Sequence, residues 1–393
     1  MSIAEILFIG SFAILFYCYA GYGIILFAWN WLKPGSGKPA MDPQEWMPVA
    51  LVVTAFNEGD ILEEKIHNTL ELDYPADKLE IIFVTDGSTD GSTEIVSKFP
   101  RIQLLHQPER RGKLAAIKRA MLLVQTPVVV FSDANTFLNK ECVKRIVRHY
   151  SDPQTGGVAG EKRIKEGKKV SAVGEAEGIY WRYESFMKNQ DAQFYTVVGA
   201  AGELFSIRTA LFRQPDETII LDDFFISMQV CLQGYTIRYE PGAYAIESPS
   251  ASLAEEEKRK IRISAGAYQS VGYLKECLNF FKHPLLAFQY LSRRLLRWII
   301  CPPLLFILLL SNILLALHYP HNMYYTGFLL AQLLFYLMVI PGWLLVRAGK
   351  KAGWLAVPFY FVFMNYCLVK GFIRFIQGKQ TVLWEKSLRQ AVE

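Results

Sequence analysis

VALVVTAFNE, residues 49–58, and LEIIFVTDGSTDG, residues 79–91, are the two stretches that decide the fold class. In each, a short run rich in Val and Ile ends abruptly in polar residues. Runs of about four to eight such residues are typical of buried strands, and the polar ends are typical of loops. The two stretches therefore predict buried strands with polar groups at their carboxyl ends.

The same alternation of short apolar runs and amphipathic stretches continues along the chain. It predicts strands at Val49 to Ala55, Leu79 to Thr85, Ile102 to His106 and Val128 to Ser132, and helices at Ile61 to Thr69, Lys113 to Val124 and Lys140 to Tyr150. This β-α-β-α order predicts an α/β fold, with a mostly parallel sheet that helices cover on both faces.

Polar side chains follow three of the four predicted strands. Asn57 and Glu58 follow the first, Asp86 opens the loop after the second, and Asp133 and Asn135 follow the fourth. Ligands of parallel sheets bind outside the carboxyl ends of the strands, so these residues form the candidate site. The first loop has no GxGxxG pattern, which disfavours a dinucleotide site. The glycine-rich sequence after Asp86 is also compatible with a plain turn.

Composition indicates a protein with apolar segments concentrated at its ends. The 393 residues are 52% hydrophobic and 20% charged, and the mean hydropathy of +0.17 is high for a soluble chain with that many charges. Lys and Arg number 42 against 37 Asp and Glu, a net charge of +5. This balance is too even to indicate nucleic acid as a partner.

The N-terminal segment is predicted to be a transmembrane anchor over residues 1–33. From Ile3 to Leu32 the only charged residue is Glu5, and the run exceeds the roughly 20 residues that cross a bilayer as a helix. Lys33 and Lys38 follow the run, which by the positive-inside rule places the next domain in the cytoplasm.

Residues 297–376 are predicted to form C-terminal transmembrane segments. The apolar runs are Trp298 to Leu317, Tyr324 to Val346 and Trp354 to Ile373, and bases at Arg347, Lys350 and Lys351 mark the last turn as cytoplasmic. Three spans would leave the C-terminus outside, whereas the basic tail of residues 377–393 favours the cytoplasm. The last run contains Pro358 and Lys370, so the sequence leaves open whether it spans. Residues 263–296 are predicted to form an interfacial amphipathic segment, with a helix of the globular domain as the alternative.

The residues between the apolar ends resemble family 2 glycosyltransferases of the bacterial cellulose, hyaluronan and poly-N-acetylglucosamine synthase type. The resemblance covers about Pro48 to Arg262 and includes the flanking membrane segments. It rests on five motifs in the family's order. The first is the nucleotide-binding start, made of residues 52–58 and 81–90 together, and the others are Arg111-Gly112-Lys113, Ser132-Asp133-Ala134-Asn135, Gly199-Ala200-Ala201-Gly202-Glu203 and Leu221-Asp222-Asp223. The resemblance implies a GT-A fold for residues 48–262.

The resemblance also implies roles for these residues. Asp223 matches the general base of an inverting transfer, with Asp222 beside it, although Asp222 could instead only cap the helix that follows. Hard oxygen ligands suit Mg²⁺ or Mn²⁺, which makes Asp133 and Asn135 the candidate metal ligands. The remaining candidates are, for the nucleotide-sugar donor, Asn57, Glu58, Asp86, Lys113, Asp133 and Arg262, and for the acceptor, Gly199, Gly202 and Glu203.

Two positions depart from the family pattern. Asn135 stands where many relatives carry a second Asp, so the metal site has less negative charge. Arg259-Lys260-Ile261-Arg262-Ile263 replaces the QxxRW motif of processive members and lacks its Trp, which weakens the interpretation as a polymer synthase.

The sequence therefore predicts a membrane glycosyltransferase of the plasma (inner) membrane with its catalytic domain in the cytoplasm. It would transfer a sugar with inversion from a nucleotide-diphosphate donor, expected to be a UDP-sugar, to an extracellular or capsular polysaccharide. One alternative is transfer of a single sugar to a polyprenyl phosphate or glycolipid. A minor alternative is a non-catalytic membrane partner that binds nucleotide-sugar. The predicted partners are the donor, the glycan or lipid acceptor and the membrane.

Overall fold

The computed structural model describes residues 1–33, 42–165 and 172–383. Within these ranges an α/β domain with one mixed sheet is flanked by long apolar helices, so the predicted α/β class is confirmed. Lys38 and residues 384–393 of the predicted tail lie outside the described residues.

One sheet of eight strands runs through the described part of the domain. Its strands are β1 (Val49–Ala55), β2 (Leu79–Asp86), β3 (Gln103–Gln107), β4 (Val128–Asp133), β5 (Thr136–Leu138), β6 (Thr155–Ile164), β7 (Leu204–Arg208) and β8 (Thr236–Glu247). The spatial order is β3-β2-β1-β4-β7-β6-β8-β5. Strands β3, β2, β1 and β4 are parallel, with Val49 opposite both Leu79 and Val128. Strand β7 is antiparallel to β4 and β6, and β5 is antiparallel to β8.

Strand β1 shows why its sequence is apolar without interruption. All seven of its residues are buried. Val52 belongs to the core on one face of the sheet, and Leu51 and Val53 belong to the core on the other. Successive side chains point to opposite faces of a strand, so a sheet covered on both sides needs apolar residues at every position. Burial of each Val or Leu contributes about 1.5–3 kcal/mol.

Helices cover both faces of the sheet and continue into the apolar ends. The helices of the described residues are α1 (Ile3–Phe16), α2 (Tyr22–Leu32), α3 (Gly59–Leu70), α4 (Ser92–Ser97), α5 (Lys113–Met121), α6 (Cys142–Arg148), α7 (Ala172–Phe194), α8 (Asp222–Leu232), α9 (Leu253–Tyr273), α10 (Pro284–Tyr290), α11 (Cys301–His318), α12 (Met323–Arg347) and α13 (Ala356–Ile376). One π-helical turn joins α1 to α2, and a longer π-helical segment, Leu291–Ile300, joins α10 to α11.

Four helical stretches within the described residues are long and apolar enough to cross a membrane. They are Ile3–Leu32, Pro284–His318, Met323–Arg347 and Gly353–Ile376. The second begins at Pro284, so part of the segment predicted to be interfacial is continuous with a candidate span. The predicted domain boundary at residue 262 falls inside α9, which continues to Tyr273 without a break.

Candidate active site

A cavity of about 640 Å³ lies at the carboxyl ends of β1 and β4. Its wall brings together most of the candidate residues, namely Glu58, Lys113, Asp133, Asn135, Gly199, Gly202, Glu203, Asp222, Asp223 and Arg262. Asn57 and Asp86 lie next to this wall, and their side chains accept hydrogen bonds from the backbone of neighbouring loops. The cavity is the place where the candidate groups of distant sequence segments meet.

Asp86 organises the loop that begins α5. Its side chain is fully buried, and one carboxylate oxygen accepts hydrogen bonds from the backbone N–H groups of Arg111 (3.0 Å) and Gly112 (2.6 Å). The other oxygen accepts from Arg119 Nη2 at 3.1 Å. Gly112 has φ +103, a conformation that disfavours other residues. Asp86 therefore fixes the backbone immediately before Lys113, which goes beyond the plain turn that its sequence also permitted.

Asn57 joins the loops after β1 and β2. Its Oδ1 accepts a hydrogen bond from Thr89 N at 2.8 Å, and its own N–H donates to Ser88 Oγ at 3.1 Å. Asn57 has φ +52, a left-handed conformation that Asn tolerates better than most residues. The neighbouring Glu58 is buried in the cavity wall.

Lys113 lies at the centre of a cluster of carboxylates. Its Nζ is 2.7 Å from Asp133 Oδ1 and 3.4 Å from Asp222 Oδ2. Burial disfavours the charge on Lys113, but Asp133 and Asp222 outweigh it and hold the pKa of Lys113 above its ordinary value. A Cβ on Gly202 would lie 2.9 Å from this Nζ and 3.2 Å from Asp223 Oδ2. Glycine at 202 therefore allows the cation and the Asp223 carboxylate to approach the same backbone.

Asp223 has the electrostatics of a base that works near neutral pH. Burial, and next the like charge of Asp222, raise the pKa of Asp223 to about 7. Its Oδ1 accepts a hydrogen bond from Phe224 N at 2.8 Å, which orients the carboxylate. The Asp222 carboxylate has no hydrogen bond to the first turn of α8 in the described part of the chain and faces Lys113 instead. Asp222 therefore lies in the first turn of α8 without capping it by a hydrogen bond.

Asp133 and Asn135 present oxygen atoms to the same cavity. Burial raises the pKa of Asp133, although the Lys113 ammonium opposes that shift. Asn135 Oδ1 is buried and has no hydrogen-bond partner among the described residues. The described ranges contain no group of three or more His, Cys, Asp or Glu side chains arranged to hold a metal ion. A cation at this place would need ligands from a bound molecule in addition to these two.

Comparison with known proteins assigns the domain around this cavity. Residues 50–215 match the family model described as "Glycosyl transferase family 2". The chain contains a family 2 glycosyltransferase domain. The matched residues extend from β1 to beyond β7 and include Asp86, Lys113, Asp133 and Glu203.

Curated relatives and a solved structure resemble the chain beyond this domain. The chain is 27% identical over 244 residues to a poly-β-1,6-N-acetyl-D-glucosamine synthase of Staphylococcus aureus strain MSSA476, covering 59% of the chain and 57% of that protein. The synthase of the same name from Staphylococcus epidermidis is 24% identical and covers 56% of the chain and 55% of its own length. The chain thus spans a little over half of the length of these relatives.

The structural match extends over almost the whole chain. The matched structure is the mannosyltransferase PcManGT from Pyrobaculum calidifontis in complex with GDP-Man and Mn²⁺, with a TM-score of 0.72 and 21% sequence identity. The match covers 96% of this chain and 100% of that one. At this identity the likeness shows a shared fold, which includes the apolar helices around the family 2 domain.

Glu203 ends the glycine-rich loop of the family 2 domain inside a buried ion-pair network. Its carboxylate accepts from Lys162 Nζ at 2.5 Å and lies 3.7 Å from Arg259 Nη2. Arg259 also pairs with Glu177 at 3.2 Å, and Lys162 pairs with Glu247. Burial favours the protonated acid, but Lys162 and Arg259 outweigh it and lower the pKa of Glu203. The network ties this loop to α7, β6, β8 and α9.

Arg262 lies one helical turn beyond Arg259 on α9 and lines the cavity of the family 2 domain. Burial lowers its pKa, although Asp222 and Asp223 oppose that shift. Residues three apart share one face of a helix, so Arg259 and Arg262 both line the cavity, and Arg259 also belongs to the ion-pair network. A role of Arg262 in binding the donor stays a prediction.

The far end of the cavity reaches the apolar helices. Tyr19, Trp298 and Phe361 line it there, together with Trp181 and Lys188 of α7. Lys162, Trp181 and Lys188 were not singled out from the sequence. No motif marked them, because each becomes a cavity or network residue only through contacts with segments far away along the chain.

Proposed function

We propose that the protein is an inverting, membrane-bound glycosyltransferase that transfers a sugar from a nucleotide-diphosphate donor, in particular a UDP-sugar, to an extracellular or capsular polysaccharide. The observation that carries the proposal is Asp223, a buried carboxylate with a pKa of about 7 on the wall of a cavity it shares with Lys113 and Asp133. A base with this pKa accepts a proton effectively at neutral pH.

The transfer follows from where the charges lie. The acceptor hydroxyl attacks the anomeric carbon, the bond from that carbon to the diphosphate breaks, and Asp223 takes the hydroxyl proton. The diphosphate leaves with both electrons of the broken bond, and Lys113 and Arg262 offset its charge. A single displacement inverts the anomeric centre, so an α-linked donor gives a β-linked product.

A divalent cation, Mg²⁺ or Mn²⁺, fits this site only if the phosphates of the donor supply further ligands. Asp133 and the unpaired Asn135 Oδ1 would hold it, and it would supply positive charge for the diphosphate. Cations of this kind are commonly bound by one or two carboxylates and by substrate phosphates. The described residues offer no group of three or more His, Cys, Asp or Glu side chains around Asp133, which supports a cation shared between the protein and the donor phosphates.

The relatives support a polysaccharide as the acceptor and narrow the class of sugar that is transferred. Those named above are described as poly-β-1,6-N-acetyl-D-glucosamine synthases, which favours an N-acetylhexosaminyl donor. The four apolar helices support a multi-pass protein of the plasma membrane. Lys33, directly after the first of them, favours a cytoplasmic catalytic domain, where nucleotide-sugars are available.

A lipid acceptor is the second candidate, favoured by the continuity of the cavity with the apolar helices. Tyr19 and Phe361 belong to helices long enough to span a membrane, and both line the cavity that holds Asp223. An amphiphilic acceptor could therefore reach the base from the bilayer side. A single-sugar product extractable into organic solvent supports this candidate, and a ladder of long chains supports the polysaccharide.

The test is release of UDP by the purified protein from a panel of UDP-sugars with Mn²⁺ or Mg²⁺. Asp223→Asn should abolish turnover and leave UDP binding intact, because the amide cannot accept the proton. The matched control is Asp77→Asn, an exposed carboxylate on the surface, which should retain full activity. Binding of UDP without release from any donor would contradict the proposal and favour the non-catalytic partner.

A further inference from the structure

Lys188 is a buried cation to which no carboxylate of the described residues is bound. Its side chain is 3% exposed and lies on the cavity wall. Its Nζ has no hydrogen-bond partner among the residues that the structure describes. Burial of an ammonium group without hydrogen bonds costs several kcal/mol. The position is therefore poised for a ligand oxygen.

The surroundings of Lys188 are aromatic and acidic. Its Nζ lies 5.4 Å from the centre of the Trp181 ring and 5.9 Å from that of Tyr239. The nearby carboxylates already have other donors: Glu161 accepts from Tyr239 Oη, and Glu203 accepts from Lys162 Nζ. Trp181 and Lys188 are two helical turns apart on α7, so both side chains lie on the same face.

We infer that Trp181 and Lys188 form a subsite for a neutral pyranose unit of the acceptor. This inference rests on the proposed function. Lys188 is a donor, and Glu161 and Glu203 beside it are acceptors, so sugar hydroxyls, which both accept and donate, match these groups better than an anion that only accepts. The half-buried Trp181 ring offers an apolar surface to the face of the sugar.

Contacts lead from the reacting end of the cavity to this subsite. Gly202 approaches the Asp223 carboxylate, and its neighbour Glu203 pairs with Lys162. The Lys162 Nζ lies 4.8 Å from the centre of the Trp181 ring. The subsite therefore shares the cavity with the reacting groups and is joined to them through Gly202 and Glu203, where the part of the acceptor that follows the reacting sugar would be.

The test separates acceptor binding from donor chemistry in Lys188→Met and Trp181→Ala. The probes are soluble N-acetylglucosamine oligosaccharides of two to six units as acceptor, with UDP release in the absence of acceptor as the donor readout. We expect the acceptor KM to rise about tenfold, with UDP affinity and acceptor-independent release unchanged and with Trp181→Phe restoring most of the loss. The control is Lys140→Met, because the Lys140 side chain is 73% exposed and remote from the cavity.

An unchanged acceptor KM in both variants would overturn the subsite. A parallel fall in UDP affinity would also overturn it, because that result indicates a purely structural role. A KM effect confined to polyprenyl phosphate acceptors would overturn the sugar as ligand. If the wild-type protein releases no UDP from any donor, the proposed function fails instead.

A second inference concerns helix α13, which packs along the catalytic domain. Tyr360 Oη donates to Glu256 Oε1 at 3.0 Å near one end of the contact. Towards the other end, a Cβ on Gly371 would lie 3.0 Å from Ile261 O, so the backbones of α13 and α9 touch. Half of the most apolar stretch of α13 is buried inside the protein, against 11% for that of α12.

Helix α9 cannot lie in the hydrocarbon of a bilayer. Residues 255–260 read EEEKRK, and Arg262 faces the cavity. The chain after α13 also returns to the catalytic domain: a Cβ on Gly112 would lie 3.6 Å from Val382 O. A helix that runs beside α9 and is followed within six residues by a contact with the loop before Lys113 stays on the catalytic side.

We propose that α13 lies on the membrane surface and that only the other three apolar helices cross it. One side of this helix exposes Tyr366, Ile373 and Ile376, with Lys370 and Arg374 beside them. An apolar face flanked by bases fits a bilayer surface with anionic head groups. The chain then crosses the membrane three times in all, at Ile3–Leu32, Pro284–His318 and Met323–Arg347, and its C-terminus lies on the catalytic side. The basic tail is then in the cytoplasm, as its charge favours.

Labelling of single cysteines in membrane vesicles tests this topology. Lys379→Cys follows α13, Lys98→Cys lies in the catalytic domain and His321→Cys lies between α11 and α12. The native cysteines in the described ranges are buried, which keeps background labelling by a membrane-impermeant maleimide low. We expect positions 379 and 98 to react in inside-out vesicles and position 321 to react in vesicles of the opposite orientation.

Labelling of position 379 together with position 321 would overturn the proposal. Cleavage after Lys379 by trypsin added to sealed vesicles provides a second measurement that needs no substitution. Protection of that site in inside-out vesicles, with cleavage in right-side-out ones, would equally contradict a surface position for α13.

Discussion

The sharpest consequence of the site is a pH profile set by Asp223. Its pKa of about 7 reflects burial first and the charge of Asp222 second. Because only the ionised form can accept a proton, about one-tenth of the enzyme should be active at pH 6 and about nine-tenths at pH 8. We therefore expect kcat/KM to rise about tenfold for each pH unit below 7 and to level off above it.

Asp222→Asn changes this profile in a direction that the structure fixes. Removal of the neighbouring negative charge lowers the pKa of Asp223, and a like charge in contact shifts such a group by about one pH unit or more. Normalised to its own plateau at high pH, the variant should retain about five times the wild-type activity at pH 6. The same comparison with Asp77→Asn should show no displacement.

The assay is the rate of UDP release at low substrate concentration across the pH range, in buffers of constant ionic strength. Donor affinity is measured at each pH, so that loss of binding is separated from loss of the base. A wild-type acid limb centred below about pH 5.5 would refute the assignment of Asp223 as a raised-pKa base. A normalised Asp222→Asn profile that superimposes on the wild type would refute the coupling of the two carboxylates.

Three further predictions concern single substitutions, the first with a control substitution. Gly199→Ala should destabilise the protein by about 3 kcal/mol or more, because φ is +86 and a Cβ would lie 2.1 Å from the Phe224 ring. The control Gly234→Ala, with φ +89 and open space around it, should cost only about 1 kcal/mol, and thermal unfolding in detergent compares the two variants. Asp86→Asn should weaken UDP binding about tenfold by calorimetry, since the loop before Lys113 loses a charged acceptor; unchanged affinity would contradict that role. Asn135→Asp should lower the Mn²⁺ concentration for half-maximal activity about threefold or more, because it adds a charged ligand; an unchanged requirement would remove position 135 from the metal site.

Local patterns predicted the parallel half of the sheet. Strand β1 has the predicted bounds, Val49–Ala55, because a strand buried on both faces requires an unbroken apolar run with polar residues at its end. The α/β class follows from that pattern. Strands β6 to β8 were not predicted: β6 and β8 mix glycines with charged residues such as Lys162, whose burial depends on ion pairs with distant segments, and β7 is only five residues long.

The same distinction separates the parts of the site. Lys113, Asp133 and Asp223 could be named from motifs, because each stands at a strand or helix end with a recognisable neighbourhood. A contact of Asp86 with the donor stays a prediction, and its role beneath the loop, bound to backbone N–H groups, could not be read from the sequence. Lys188 could not be predicted, because the sequence around a buried lysine and around a solvated one can be the same, and only the folded structure shows which side chains surround the ammonium group.

The ion pair of Arg259 with Glu203 connects the loop predicted to bind the acceptor, residues 199–203, to the bilayer through a chain of contacts. Arg259 belongs to α9, α9 lies against α13, and α13 presents its outer face to lipid under the topology proposed above. Thickness or lateral pressure of the bilayer that displaces α13 would then be transmitted to Glu203 before it reaches Lys113. Lipid composition and detergent should accordingly alter the use of the acceptor more than the affinity for the donor.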